Sequence, residues 1–385
     1  MKKVIALLLC LCMVFAMGAC AKPAGDEPSQ GGESKAPSES SDASSGTLSK
    51  EDLKIGFIYI GDPSDMGYTY AHERGRLYLQ EELGLSDDQM IVKANVSEDS
   101  ACEDAINELI ESGCNIIFAN SFGFGEFMKE AAEEHSDIYF LHATGIYSND
   151  TNFANYFGRV YQPRYLAGIA AAMKSETGKL GYVAAFSNSE CNSGINAFTL
   201  GAQSVNPEIE VFVSYTNDWD NPTGERQAAE ALLDSGCDVI AQHVDSTAPQ
   251  VAAQERGKWG IGYNSVMTEA APDAELTSVI WNWGPVMAEL VGEIMDGSFK
   301  GGINLGSMKI GTCELADLTD NVKEGTKEAV QAAYDKIVDE NDAFDVFNGP
   351  IYDNEGNLQI KEGEKASDLL IAQNMTWLVK GVTVK

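Results

Sequence analysis

Two carboxylates, Asp65 and Asp245, and five large rings, Tyr68, Phe122, Phe124, Trp219 and Trp283, stand at or just beyond the ends of short apolar runs. Loops normally run over the surface and favour polar residues, so rings at several of them describe a slot for a flat ligand. A heteroaromatic ring stacked on such side chains gains roughly 1 to 3 kcal/mol per base. The carboxylates would accept hydrogen bonds from ring or exocyclic N–H groups, or from sugar hydroxyls. Each such bond contributes on the order of 1.5 to 3 kcal/mol when shielded from water. Asn196 and Asn282 belong to the same set of segments and offer donor and acceptor together. The plainer reading of any single ring is that it caps a sheet end or packs between lobes.

The elements that must position these groups repeat as strand, loop, helix. The run 55–60 (IGFIYI) is ended by Gly61-Asp62-Pro63, and an amphipathic stretch from Tyr70 to Leu83 stops at Gly84. A helix near Cys102 to Glu111 leads through Ser112-Gly113-Cys114 into the strand 115–119; a second, Arg226 to Leu233, leads through Ser235-Gly236-Cys237 into 238–241. The segments ELIESGCNII and ALLDSGCDVI read as one unit used twice, which predicts two parallel-sheet lobes with helices on both faces. In such sheets ligands bind where loops leave the carboxyl ends of the strands. The expected organisation is a first lobe of residues 52–160 plus about 277–310 and a second of 161–276 plus about 311–385.

Other chemistry finds less support. His72, His135, His142 and His243 are scattered rather than spaced as metal ligands, and read as structural. There is no Gly-x-x-x-x-Gly-Lys loop and no Gly-x-Ser-x-Gly elbow. Asp65 with Asp245 is conceivable as a hydrolase pair, but carboxylates on opposite lobes that meet only on closure suit capture better than proton transfer. No cofactor is expected, and no metal.

At the other end of the chain, Lys2-Lys3, an apolar run and Ala16-Met17-Gly18-Ala19 precede Cys20. A charged start, a short apolar stretch and small residues at a cut read as an export signal over 1–19, not a membrane span. Residues up to Cys20 resemble a bacterial lipobox, which implies a diacylglyceryl group on Cys20 and anchorage on the outer face of a cell membrane. Residues 20–51, rich in Ser, Gly, Pro, Asp and Glu, are expected to form a disordered tether. The formal charge of −33 makes nucleic acid and anionic substrates poor partners. Past Cys20 the cysteines number five, Cys102, Cys114, Cys191, Cys237 and Cys313, with no C-x-x-C spacing. They read mostly as small buried hydrophobes.

Several longer segments resemble a known family. They are 61–72 (GDPSDMGYTYAH), His142-Ala143-Thr144-Gly145, Gly158-Arg159, 164–168 (RYLAG), 194–207 (GINAFTLGAQSVNP), 242–246 (QHVDS), 282–285 (NWGP) and 348–351 (NGPI). Together these are similar to the basic membrane protein family of substrate-binding lipoproteins that serve ABC importers, in particular its purine-binding branch. The resemblance implies a class I periplasmic-binding-protein fold: two doubly wound parallel-sheet lobes, hinged by three crossings, closing on a purine base or nucleoside that is handed to an ABC permease. It sets Asp65 and Tyr68 against the base with Phe122 or Phe124 nearby, takes Asp245 from the second lobe, and lines the cleft with Trp219, Asn282 and Trp283. Tyr68 stands where this branch usually has Trp, a smaller ring that carries a hydroxyl. A ligand-sensing regulatory lipoprotein of the same fold and an exported nucleoside hydrolase are the alternatives.

Overall fold

The computed structural model describes residues 48–339 and 341–385. The signal segment 1–19, Cys20 and the tether up to residue 47 therefore lie outside the described residues. The first lobe opens with β1 (Ile55–Ile58), α1 (Tyr68–Leu83), β2 (Met90–Lys93), α2 (Ser100–Glu111), β3 (Ile116–Ala119), α3 (Gly125–Glu134), β4 (Tyr139–Ala143) and β5 (Phe153–Gly158). The chain then passes to α4 (Tyr161–Lys174), β6 (Lys179–Ala184), α5 (Ser189–Val205), β7 (Glu210–Tyr215), α6 (Pro222–Asp234), β8 (Val239–His243), α7 (Ala248–Glu255), β9 (Trp259–Asn264) and β10 (Glu275–Trp281). It returns with α8 (Trp283–Asp296) and β11 (Gly302–Gly306). It then crosses again to β12 (Cys313–Leu315), α9 (Thr326–Val338), the small pair β13 (Ile351–Tyr352) and β14 (Leu358–Ile360), and β15 (Val382–Val384).

Two sheets result. The first has the order β11-β5-β4-β3-β1-β2 and is parallel throughout; the second has the order β12-β10-β9-β8-β6-β7-β15. In the second sheet only β12 runs antiparallel, an edge strand laid against β10 after the last crossing. Because β10 pairs with β9, the chain re-enters the first lobe at Asn282 rather than near 277. The inner strands β1, β3 and β8 are buried at every residue, as strands covered by helices on both faces must be.

The repeated helix–Ser-Gly-Cys–strand unit is visible as one turn built twice. Cys114 N–H donates to Leu109 O and Cys237 N–H to Leu232 O, each 3.0–3.2 Å. Gly113 and Gly236, at φ 85° and 94°, supply the left-handed residue that ends each helix. Each copy delivers its sheet's central strand. The five cysteines are free and buried; burial pushes the Cys114 thiol up to about 11 and those of Cys102 and Cys237 up to about 12.

One apolar cluster threads both sheets, and two smaller ones lie under α2 and α3 and under α6 and α7. The three crossings are hydrogen-bonded to one another: Arg159 N–H donates to Gly306 O at 2.7 Å and Asn282 N–H to Thr312 O at 2.9 Å. Arg159 also makes a two-pronged ion pair with Asp368, its Nη2 2.9 Å from Oδ2. Among the described residues no helix is long and apolar enough to cross a membrane.

Candidate functional site

The carboxyl ends of both sheets converge on one cleft, and backbone geometry marks it. Among the described residues, Met66, Asn95, Thr144, Asn217 and Asn264 are the non-glycine residues with positive φ, between 57° and 68°. Four of them sit at or just after the carboxyl end of a strand, and Met66 lies in the loop that joins β1 to α1. Left-handed backbone costs a residue with a Cβ on the order of 1 kcal/mol or more and persists where surrounding contacts fix it.

Across the mouth of the cleft the lobes touch. The Ser265 hydroxyl, after β9, donates to the Met66 carbonyl at 2.5 Å. A Cβ on Gly67 would fall 2.8 Å from the Asp245 carbonyl oxygen, so the absence of a side chain at 67 is what permits this approach. These contacts bring Tyr68 opposite the loop that follows β8.

Asp65 does not face the cleft with a free carboxylate. Its Oδ1 accepts from the N–H groups of Gly67 (2.7 Å) and Tyr70 (2.9 Å), and Oδ2 from Thr69 (3.2 Å). It therefore satisfies the unpaired first N–H groups of α1, the work of a helix cap. Asp245 is different. Among the described residues only its Oδ1 is engaged, by Asn264 Nδ2 at 2.7 Å. Burial raises its carboxyl well above the usual carboxylate range; the Asn264 bond opposes this, and the charges of Asp65, Glu225 and Asp220 add to it.

The rings divide in the same way. Trp283 is fully buried, stacked on His72 at 4.5 Å and on Trp281 at 4.4 Å, so neither face is open to a ligand. Phe124 lies in the apolar cluster under α2 and α3 and does not line the cleft. Phe122 is 59 % exposed on a loop held by Glu98, whose Oε1 accepts from Ser121 Oγ and Gly123 N–H. Trp219 is half-buried, edge-on to Phe186 at 5.5 Å and tilted against His243 at 6.1 Å. Tyr68 stands edge-on to His72 at 4.5 Å, with its hydroxyl enclosed near Thr144. Two asparagines also depart from the slot. Asn196 is buried and ties α5 to the C-terminal segment, donating to Trp377 O and accepting from Val379 N–H. Asn282 sits half-buried at a crossing.

Residues that sequence reasoning passed over complete the cleft. Glu190, in the first turn of α5, lines a cavity together with Thr144, Gly145, Asn155 and Phe157 of the first lobe and Ser193 and Gln373. His243 Nε2 lies 3.4 Å from Glu190 Oε1, and the ring packs edge-on to Tyr263 at 4.5 Å. Burial and the neighbouring Arg164 cation hold the His243 imidazole down to about 4, against a weaker opposite pull from Glu190. It is neutral at ordinary pH. Arg164 is itself enclosed, its guanidinium 4.2 Å from the Tyr263 ring centre. Among the described residues no group of three His, Cys, Asp or Glu is placed to hold a metal ion.

Two hinged sheets whose strand ends face each other, with bonding groups turned into the gap, define a receptor that encloses a small molecule between its lobes. The family described as ABC transporter substrate-binding protein, PnrA-like, matches residues 52–342, and the chain belongs to that family, the Bmp family. It is 38 % identical to a purine-binding protein of Brucella abortus over 87 % of this chain and 94 % of the relative. It is 36 % identical to a putative ABC transporter glucose-binding protein of Haloferax volcanii, over 86 % of this chain and 81 % of that one. An ABC-system solute-binding protein of Aeropyrum pernix shares the fold with a TM-score of 0.60 at 20 % identity, over 74 % of this chain and 85 % of its own. Substrate-binding proteins of ABC systems work outside the cytoplasm.

Proposed function

We propose that this chain is a lipid-anchored extracytoplasmic receptor that closes on a purine base or nucleoside and delivers it to an ABC permease. The observation that carries the reading is the approach of the two lobes, Gly67 against the Asp245 loop with Tyr68 next in the chain, and Glu190 of the second lobe in one cavity with Thr144, Asn155 and Phe157 of the first. A planar heterocycle needs a ring along its side and acceptors at its N–H edge, and these groups supply both. The 38 % identical purine-binding relative supports the same ligand class. The anchor rests on the sequence alone: Lys2-Lys3, the apolar run and the small residues before Cys20.

A hexose in the same cleft is the second reading, favoured by the name of the Haloferax relative. A thermal-shift screen of purine bases, nucleosides, glucose and amino acids separates the two, because a ligand well above its Kd raises the melting point of the protein that binds it. Stabilisation by a purine with none from glucose is the expected result; the reverse would replace purine with hexose. For the anchor, labelled fatty acid should enter the wild-type chain in cells and not a Cys20→Ser variant.

A further inference from the structure

Glu190 stands in the cleft in a way that neither Asp65 nor Asp245 does. It occupies the first turn of α5, whose N-terminus is capped by Asn188 accepting from Cys191 N–H at 2.9 Å. The exposed N–H groups of a helix start favour a negative side chain there. Its Oε1 is approached by His243 Nε2, and no hydrogen bond is made by Oε2 among the described residues. The side chain is 20 % exposed, against none for His243, so it reaches out of the second lobe while its support stays buried.

The surroundings point to a bound molecule. Across the gap, the same cavity is walled by Thr144, a left-handed residue at φ 65°, and by Asn155 and Phe157. The Tyr68 hydroxyl is enclosed close to Thr144 and within the field of the Glu190 carboxylate. Asp245 lies at the mouth, against Gly67, while Glu190 shares its cavity with Gly158 and Arg159 of the crossings.

We propose that Glu190 is a specificity-determining residue of the cleft: its carboxylate, steadied by His243, takes the N–H edge of the bound heterocycle and so favours purines carrying an amino group. This rests on the purine reading above. An ionised carboxylate only accepts hydrogen bonds. It therefore rewards two adjacent N–H donors, as the N1–H and 2-amino group of guanine, gains less from hypoxanthine, which keeps N1–H and lacks the amino group, and takes a single amino N–H from adenine, whose flanking ring nitrogens are acceptors.

The test is calorimetric titration of the wild type and Glu190→Gln with adenine, guanine and hypoxanthine, with melting of each ligand-free protein alongside. Glutamine keeps the shape and one acceptor but turns the other position into a donor. The affinity ratio of the better aminopurine to hypoxanthine should fall at least tenfold in the variant, with the ligand-free melting point unchanged. A ratio within twofold of wild type overturns the assignment, and so does a loss that is equal for all three bases and accompanied by a lower melting point. If the wild type binds none of the three, the purine reading itself has failed; if it binds them and only the ratio stays fixed, Glu190 alone is misassigned.

Discussion

The two walls of the cleft are built on opposite plans. The first lobe spends its polar and aromatic groups on the fold: Asp65 caps α1, and Trp283 is sandwiched between His72 of its own lobe and Trp281 at the end of the second sheet's β10. In the second lobe, Asp245 and Glu190 each keep an oxygen without a protein partner among the described residues, and His243 stands behind Glu190. In the proposed function the first wall would supply shape, chiefly the Tyr68 ring and the close approach at Gly67, and the second recognition. Residue type at a strand end therefore does not reveal whether a side chain serves the ligand or the fold, and the hydrogen-bond partners decide.

The contrast breaks most visibly at the two tryptophans. Trp283→Ala should destabilise the fold by about 3 to 5 kcal/mol, the cost of emptying a large buried site, read by denaturant unfolding; Trp219→Ala, half-buried, should cost much less and act on binding. Acid comes next. Burial holds His72 down to about 3 and His142 and His243 to about 4, below the usual 6.5. The unfolded chain takes up these protons first, so stability is full above pH 6.5 and is lost as pH falls from 6.5 towards 4. Melting scans across that range should show a steep decline, and a flat profile would mean the three rings are not enclosed as described.

Asp245 has the opposite sign. Its raised value in the folded state makes ionisation costly, so stability is full below the ordinary Asp range near 4 and is lost as pH rises through the folded value. Asp245→Asn should thus melt higher than wild type at pH 7 and converge with it near pH 4. Gly67→Ala tests closure: a methyl 2.8 Å from the Asp245 carbonyl should weaken ligand binding about tenfold, in line with an overpacking cost of about 1 to 3 kcal/mol. Solution scattering should then show the variant remaining open with ligand present. Asp65→Ala should lower stability by about 1 kcal/mol through the lost cap without altering which purine is preferred. Changed preference would return Asp65 to the ligand.

Much of this was legible in the sequence. Parallel lobes follow from the twice-used helix–Ser-Gly-Cys–strand unit, because Gly in a left-handed turn before a β-branched run has few structural meanings. The position of Asp245 at a strand end was equally readable. Three features were not. Asp65 reads as a ligand carboxylate, and its three bonds to N–H groups at the start of α1 are hidden because a helix cap and a binding acid use the same residue type. Phe124 and Phe122 are two residues apart, yet one is buried and the other exposed, a difference set by the single turn between them. The strand Trp259–Asn264 carries Gly260 and Gly262, which weaken its apolar run, so Asn264 and Ser265 at its end went unread.

The most direct test of the division between the walls is a crystal structure of the protein with adenine bound. The account predicts the base between Tyr68 and the second lobe, with oxygens of Asp245 and Glu190 at hydrogen-bonding distance of its nitrogens and Trp283 still enclosed by His72 and Trp281. A base stacked on Trp283, or held by the Asp65 carboxylate, would contradict it.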